Sequence, residues 1–432
     1  MNRPRSGRWK AWIILGIAAA AGLGLGLHFG PPWVRAGEEI EAQRQLVASR
    51  VDTLRSKRVL RPALFEPAEE GNGWGPFVAA LAGVSGLGDE DLVGFPTFSR
   101  DENPQPDPAR IEAAVELIRF KIDSLKHALR RPYVEPGYDY ENVIGATFPE
   151  IARALKSSWI LCDAAENAHA RGRGDEAVDF LVITLGIADR LTVKSHVVQE
   201  VAAAEIRTRG LETLKKILSN HRLDARQLER LANALEACDP ALGTDGAWME
   251  RQDLAVRLIL LSLYDHPHLR TTHDEALNAS LRHSFSRRSL FADCFEAQDR
   301  HLAGVRALAQ RPFSERGAAA GELLASDEAP PMLHTVMQHN MGAAWRKLAK
   351  VALEYRLARV SVAVAQFHAK EGRYPRTLEE LAPRDTAFDY FLTEDGAMIV
   401  SRTRDPERAG EPVGGGQGPE ADGFPAWRVR RR

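Results

Sequence analysis

The chain of 432 residues has 57 Lys and Arg residues against 59 Asp and Glu residues, a formal net charge of −2, and 44% apolar residues. This ordinary globular composition excludes a disordered chain, a collagen and a disulfide-dense scaffold. Binding to phosphate backbones needs an excess of basic residues, so we expect no nucleic-acid partner.

The N-terminal segment has the composition of a membrane-spanning helix. Residues 11–29 carry no fully charged side chain, and this length spans about 30 Å of hydrocarbon at 1.5 Å per residue. Basic residues precede the run and three glutamates follow it, which places the N-terminus in the cytoplasm. A cleaved signal peptide is the alternative, with small residues around Ala36 at the cleavage site. The sequence predicts an uncleaved signal anchor over residues 1–36 with the anchor residues Ala11, Ile14, Leu15, Leu23, Leu27 and Phe29.

Three glycines follow one another at intervals of four in this segment. Gly22, Gly26 and Gly30 would share one helix face, on which two membrane helices could pack closely. A homodimer through this face is one interpretation. The other is that glycine is simply common in membrane helices.

Residues 37–108 divide into a helix and a linker. Apolar residues at helical spacing predict a juxtamembrane helix over Gly37–Arg61. Seven prolines and many glycines between residues 62 and 108 then predict an irregular linker, in which only Phe77–Leu81 looks helical.

Residues 109–332 predict a helical-hairpin domain. Apolar residues step by three and four from Ala109 until Pro132 ends the helix. Further helices are predicted over Glu150–Arg171 and over Ser195–Ser219, and between them a helix that Asp175 caps and that runs to Leu191. Asp224 is predicted to cap a fourth helix. The fold class is mainly α, as a helical-hairpin bundle or an irregular solenoid.

A long helix and a small α+β element are predicted over residues 333–402. The helix covers about Leu333–Lys370 and stops at Gly372. Thr377 can cap a short helix with Glu380 in the reciprocal position. Residues 390–393 and 397–401 then read as the two strands of a short antiparallel β-hairpin. Residues 403–432 predict a Gly-rich flexible basic tail, with one more strand or a lipid-contacting end as alternatives.

The C-terminal signature resembles the C-terminal region of type II secretion pseudopilins. That family has a long helix, a G-x-Y-P-x-x-L-x-x-L element and then a small antiparallel sheet. The layout also resembles bacterial proteins that join an N-terminal anchor, a helical middle and this tail. The resemblance implies the bacterial cytoplasmic (inner) membrane, with most of the chain periplasmic or extracytoplasmic. The matching residues are Gly372, Tyr374, Pro375, Leu378 and Leu381.

Few residues point to chemistry. The weak metal candidates are His266, His268 and His273, which lie around Pro267 in a predicted loop, where surface histidines of a polar turn are the alternative. The carboxylates of Glu150, Asp163 and Glu166 could lie along one side of their helix, which solvent exposure would also explain. No nucleophile elbow or phosphate-binding loop is present, so no catalytic residue and no cofactor is predicted.

These features favour an interaction protein over an enzyme. We expect a membrane-tethered envelope scaffold whose exported helical domain binds an envelope protein, with the lipid bilayer as its other partner. One alternative is a membrane-anchored metal-dependent enzyme that uses the histidine loop. The other is a minor component of a secretion or pilus system.

Overall fold

Helices make up most of the structure, a computed structural model, which confirms a mainly α fold with a small antiparallel sheet near the C-terminus. The helices are held together by apolar stripes at three- and four-residue spacing, as the sequence predicts. The structure describes residues 34–99, 105–137, 148–195, 197–220, 223–240, 247–265, 284–309, 339–381, 388–393, 396–402 and 425–430.

The predicted transmembrane helix is the part of the fold class that is contradicted. In the described part of the chain, no helix is both long enough and apolar enough to cross a bilayer. Even the apolar helix Gly174–Leu191 carries charged residues near both ends and at Asp179. The predicted anchor residues and the glycines Gly22, Gly26 and Gly30 lie outside the described residues. We therefore correct the signal anchor, the single-pass topology and the inner-membrane localisation.

The first part of the chain contains the predicted helix and a second helix within the predicted linker. Helix α1 covers residues 34–56, where the sequence predicts a helix over Gly37–Arg61. Helix α2 covers Trp74–Val84, of which only Phe77–Leu81 was predicted to be helical. Helix α3, Pro108–Leu129, begins after Asp107, whose carboxylate accepts hydrogen bonds from two backbone amides of the first turn. Helix α2 packs against α3 with four residues buried, so this stretch contributes to the core.

Four helices follow at the positions that the periodicity predicts: α4 (Pro149–Ala170), α5 (Gly174–Leu191), α6 (Val197–Asn220) and α7 (Ala225–Ala237). Asp224 caps α7 in a capping box with Gln227, which confirms one predicted cap. Asp175 does not cap α5. The helix already begins at Gly174, and Asp175 instead lies 3.5 Å from Arg230 of α7.

The remaining helices of the described residues divide between two hydrophobic cores. Helices α8 (Ala247–Asp265) and α9 (Ser284–Ala309) bury their apolar residues together with α1. The long helix α10 (His339–Glu371) packs on α6 and α7 and shares the main core with α2–α7. Its apolar residues lie on two sides, because neighbours cover it on both.

The C-terminal sheet has three strands in the order β1 (Phe388–Thr393), β2 (Gly396–Ser401) and β3 (Ala426–Arg430), all antiparallel. The predicted hairpin is therefore present as β1 and β2, with Phe388 opposite Ser401. The prediction of a flexible tail is wrong for residues 426–430. Trp427 pairs with Ile399 and is 1% exposed, so the last strand is part of the main core.

Candidate functional site

An open cleft of about 600 Å³ lies between α4, α6 and the chain that leads into α3. This volume is within the range of about 300–1,000 Å³ that is usual for ligand-binding pockets. We call it the α4–α6 cleft. One wall is formed by Pro96, Pro106, Pro108 and Ile111; α4 contributes Asp163, Glu166, Asn167, His169 and Ala170; α6 contributes Lys216, Ile217 and Asn220.

Helical spacing aligns the polar side chains along the two helices. On α4, Asp163, Glu166 and Asn167 follow one another at intervals of three and one, so they occupy one face of the helix. On α6, Lys216 and Asn220 are four residues apart and share a face in the same way. The two faces are turned towards each other because α4 and α6 pack together in the main core.

Asp163 is the buried centre of a hydrogen-bond network at the base of the cleft. Thr97 donates to it twice, from its backbone amide at 3.1 Å and from Oγ1 at 2.8 Å. Arg209 Nη2 donates to Asp163 Oδ1 and to Thr97 Oγ1, both at 2.8 Å. Because both carboxylate oxygens accept hydrogen bonds, the network connects α4, α6 and the short 3₁₀ helix Pro96–Phe98.

The burial of this pair shifts its protonation equilibria. Burial raises the pKa of Asp163 above its ordinary value, and the hydrogen bonds from Thr97 and Arg209 oppose that shift without cancelling it. Burial would lower the pKa of Arg209, but the charges of Asp163 and Glu166 and the hydrogen bond to Asp163 outweigh it and leave that pKa raised. Arg209 therefore stays charged and gives Asp163 a permanent counter-ion.

Glu166 forms a second ion pair nearer the solvent. Lys216 Nζ lies 2.8 Å and 3.1 Å from its two carboxylate oxygens, and Thr213 Oγ1 donates to Oε1 at 3.1 Å. The side chains of Glu166 and Lys216 are 31% and 51% exposed. This pair can therefore exchange partners with a ligand at modest cost, since exposed ion pairs contribute only about 0–1 kcal/mol.

Carboxamide groups supply the other polar contacts of the cleft. Asn167 donates through Nδ2 to the Pro108 carbonyl oxygen at 3.2 Å, which fixes the orientation of its amide. A carboxamide offers two acceptor lone pairs and two donor hydrogens, so this bond uses one of four positions. Asn220 lies at the C-terminal end of α6 on the same side.

The thiol beside this network is unreactive. Cys162 is fully buried, and burial raises its pKa to about 12, so the thiol stays protonated at neutral pH. Cys238 and Cys294 are also free and buried, as is usual for structural cysteines.

The carboxylates noted in the sequence separate into two places. Asp163 and Glu166 both line the cleft. Glu150 precedes Asp163 by 13 residues on α4, which is about 20 Å along the helix axis. It is buried beside Gln199, whose Nε2 donates to it at 3.2 Å. The weak metal candidates His266, His268 and His273 lie outside the described residues, and the described part of the chain contains no cluster of three potential metal ligands.

The five residues of the C-terminal signature have structural roles in the described chain. Gly372 ends α10 with a φ of +70°, a conformation that glycine adopts without strain. Tyr374 packs on His368 at 4.3 Å, and Tyr390 Oη donates to the Pro375 carbonyl oxygen at 2.8 Å. Tyr374, Leu378 and Leu381 are half-buried against the main core.

The short helix of this element differs from its prediction. It is a single 3₁₀ turn, Leu378–Glu380, and the Thr377 side chain makes no capping hydrogen bond. Glu380 instead accepts a hydrogen bond from the backbone amide of Arg376 at 2.8 Å and pairs with Arg373 at 2.9 Å. Of the two predicted capping residues, only Glu380 stabilises this turn through its side chain.

The sequence analysis did not identify Thr97, Arg209 or Lys216. Each is polar in a region where polar residues are common, and only the packing of α6 and the 3₁₀ helix on α4 brings them to the carboxylates. The one available signal was the three-to-four spacing of polar residues on α4 and α6.

Comparison of the chain with protein-family models, with curated proteins and with solved structures found no match in any of the three. The resemblance of residues 372–381 to pseudopilins therefore stays a prediction.

Proposed function

We propose that the helical domain is a protein-interaction module that binds a short polypeptide segment in the α4–α6 cleft. The observation that carries this proposal is the combination of an apolar proline wall with a facing wall of carboxamides and internally paired charges. This arrangement provides contact area and hydrogen bonds in one open groove.

The state of the carboxylates favours binding over catalysis. A general base needs an oxygen that is free to take a proton from the substrate. In the cleft, both oxygens of the buried Asp163 accept hydrogen bonds from Thr97 and Arg209, so this carboxylate is held as a counter-ion. Glu166 faces Lys216 in a partly exposed pair, which is available to a charged group of a ligand.

The polar groups of the cleft suit a peptide backbone. A carboxamide can donate to a peptide carbonyl and accept from a peptide N–H at the same time. Asn167 and Asn220 offer this chemistry on neighbouring helices. The rings of Pro96, Pro106 and Pro108 give a rigid apolar surface for the side chains of the segment. The half-exposed pair of Glu166 and Lys216 can bind either charge on a ligand side chain.

Selection of short peptides on the purified full-length chain tests the proposal. Peptides selected from a random library would be measured by fluorescence anisotropy against the wild-type protein. Ala170 lines the cleft and is exposed, so Ala170→Trp should obstruct the cleft without disturbing the core. Ala369→Trp is a matched control, because Ala369 is an exposed alanine of α10 outside the cleft.

We expect selected peptides to bind the wild type and Ala369→Trp equally, and Ala170→Trp at least about tenfold more weakly. Equal binding to all three proteins would place the peptide elsewhere and contradict the proposal. Failure to select any peptide, together with saturable binding of a small polar compound that Ala170→Trp blocks, would replace it with a small-molecule site.

A further inference from the structure

Two arginines lie in the interior of the main core, away from the α4–α6 cleft, and a third approaches them from the edge of that core. Arg190 is 1% exposed at the end of α5, and Arg207 is 3% exposed on α6. The side chain of Arg61, in the chain before α2, is 20% exposed and pairs with the same aspartate as Arg190. Cys238 at the end of α7 and Tyr355 on α10 complete the group, and both are fully shielded from solvent. We call these residues, together with Asp189, the buried arginine cluster.

Asp189 is the counter-ion for two of the arginines. Its carboxylate lies 2.9 Å from Arg190 Nη1 and 3.5 Å from Arg61 Nε. Arg190 Nη2 also donates to the carbonyl oxygens of Pro62, Leu129 and Arg131 at 3.2–3.3 Å. One carboxylate thus faces two guanidinium groups, and this part of the cluster keeps an excess positive charge.

Arg207 adds a third positive charge, which acts on the same Tyr355 hydroxyl as Asp189 does. Asp239 also acts on this hydroxyl, but its carboxylate is paired with Arg359 at 2.7 Å. Burial raises the pKa of Tyr355 well above its ordinary value, and the charge of Arg207 opposes that shift. Burial likewise lowers the pKa of Arg190, which shows that Asp189 does not fully offset the burial of this guanidinium.

Four hydrogen-bond donors of the cluster are unsatisfied. Among the described residues, the Nε atoms of Arg61, Arg190 and Arg207 and the hydroxyl of Tyr355 have no hydrogen-bond partner, although all four atoms are buried. A buried donor without a partner costs about 1–3 kcal/mol, and more when the group is charged. The excess charge and the free donors occur in the same cluster, so a single occupant could resolve both.

We propose that the buried arginine cluster holds a small inorganic anion, which accepts hydrogen bonds from Arg207 and Tyr355 and offsets the positive charge. A water molecule could accept the same hydrogen bonds, but it would leave the charge uncompensated. An anion does both, and guanidinium groups are the preferred protein donors for phosphate-like and carboxylate-like anions. Chloride and phosphate share the required chemistry of negative charge and acceptor capacity.

Thermal unfolding of the full chain at constant ionic strength tests the proposal. The anion of the buffer would be exchanged for chloride in one arm and for phosphate in the other. A ligand that binds only the folded state raises the unfolding temperature in a saturable way as its concentration passes the dissociation constant. Binding would be measured directly by chloride NMR line broadening and by equilibrium dialysis of radioactive phosphate.

Three variants assign the effect to the cluster. Arg207→Met removes the unpaired guanidinium, and Tyr355→Phe removes only the hydroxyl, so the second variant serves if the first does not fold. Arg300→Met is the control, because Arg300 forms an exposed pair with Glu296 on α9.

We expect saturable stabilisation with one bound anion per chain in the wild type and in Arg300→Met. The dissociation constant should rise by about tenfold or more in Arg207→Met or Tyr355→Phe. Saturation in the phosphate arm would identify an oxyanion site, and saturation in the chloride arm a halide site. A wild type that binds neither anion, or equally tight binding by the Arg207 and Tyr355 variants, would overturn the proposal.

Discussion

Arg209 donates from a single nitrogen, Nη2, to Asp163 Oδ1 and to Thr97 Oγ1, each at 2.8 Å. The Asp163 side chain is 2% exposed, whereas that of Arg209 is 22% exposed. The aspartate therefore depends on this arginine for its compensating charge, while the arginine still reaches solvent. Loss of Arg209 would therefore leave a buried carboxylate without its counter-ion, whereas loss of Asp163 would leave a guanidinium group that still contacts solvent.

Arg209→Met should destabilise the protein strongly. Removing the guanidinium leaves the Asp163 carboxylate buried without its counter-ion, and breaking such a pair costs about 3–5 kcal/mol. We expect the free energy of unfolding, measured by urea denaturation at neutral pH, to fall by about 3 kcal/mol. Arg300→Met is the control, since an exposed pair should contribute under about 1 kcal/mol. A similar loss in both variants would show that Asp163 does not depend on Arg209.

The penalty of Arg209→Met should depend on pH. Burial raises the pKa of Asp163 in the folded protein, with the hydrogen bonds from Thr97 and Arg209 opposing the shift. An acid whose folded pKa is raised contributes stability that is present below the unfolded pKa and is lost as the pH rises through the folded pKa. Without Arg209 the folded pKa of Asp163 should rise further.

The free-energy difference between the wild type and Arg209→Met should therefore be smallest at acid pH and grow as the pH rises. Urea titrations from about pH 3 to about pH 7 would measure it, because the other carboxylates cancel in the difference. In an Asp163→Asn background the titrating group is absent, so the free-energy difference between Asp163→Asn and the double variant Arg209→Met with Asp163→Asn should be independent of pH. A pH-independent penalty in the single variant would contradict the assignment to Asp163.

The helices of the main core were predictable because their signals are local. The turn between α4 and α5 follows from Gly172, which adopts a φ of +76°, and the start of α7 follows from Asp224. Only Phe77–Leu81 of the helix Trp74–Val84 was predicted to be helical. The prolines and glycines of residues 62–108 predict a linker, but burial against α3 stabilises this helix beyond its local propensity.

The cleft could be predicted only in part, because its contacts are not local. Asp163 and Glu166 share a helix face that the spacing reveals. Thr97 is 66 residues from Asp163 and Arg209 is 46 residues from it, so no local pattern connects them. For the same reason the third strand was predicted only as an alternative to a flexible tail. Trp427 finds its partner Ile399 across a long Gly-rich stretch.

Arg257 connects the helices of the second core, and its loss should affect that core alone. This fully buried residue of α8 donates to Asp253 at 2.9 Å, to Gln43 of α1 and to Asp299 of α9. Arg257→Met should lower the local stability by about 3 kcal/mol. Hydrogen exchange should then become faster in α1, α8 and α9, while α4 keeps its wild-type rates, because α4 belongs to the main core.

Arg44→Met provides the comparison for Arg257. Arg44 also connects α1 to α8, through Asp265, but both side chains of this pair are more than a third exposed. Its loss should change the exchange rates of α1 by little. If Arg257→Met accelerates exchange equally in α1 and α4, then the two cores unfold together and the division between them has no thermodynamic meaning.

Two glycines near the C-terminus should respond differently to alanine. A Cβ at Gly396 would overlap the backbone oxygen of Val429, where β2 pairs with β3. A Cβ at Gly372 meets open space, and only its φ of +70° opposes the substitution. We therefore expect Gly372→Ala to cost about 1 kcal/mol of conformational strain. Gly396→Ala should cost about 2 kcal/mol or more, because strand pairing is also lost.

Hydrogen exchange of residues 426–430 separates the two effects. Gly396→Ala should accelerate exchange throughout β3, because the strand can no longer keep its register against β2. Gly372→Ala should leave β3 protected and lower only the global free energy of unfolding, as measured in urea. Protection of β3 in both variants would mean that burial of Trp427 and Val429 against α6 and α10 holds the strand without its backbone pairing.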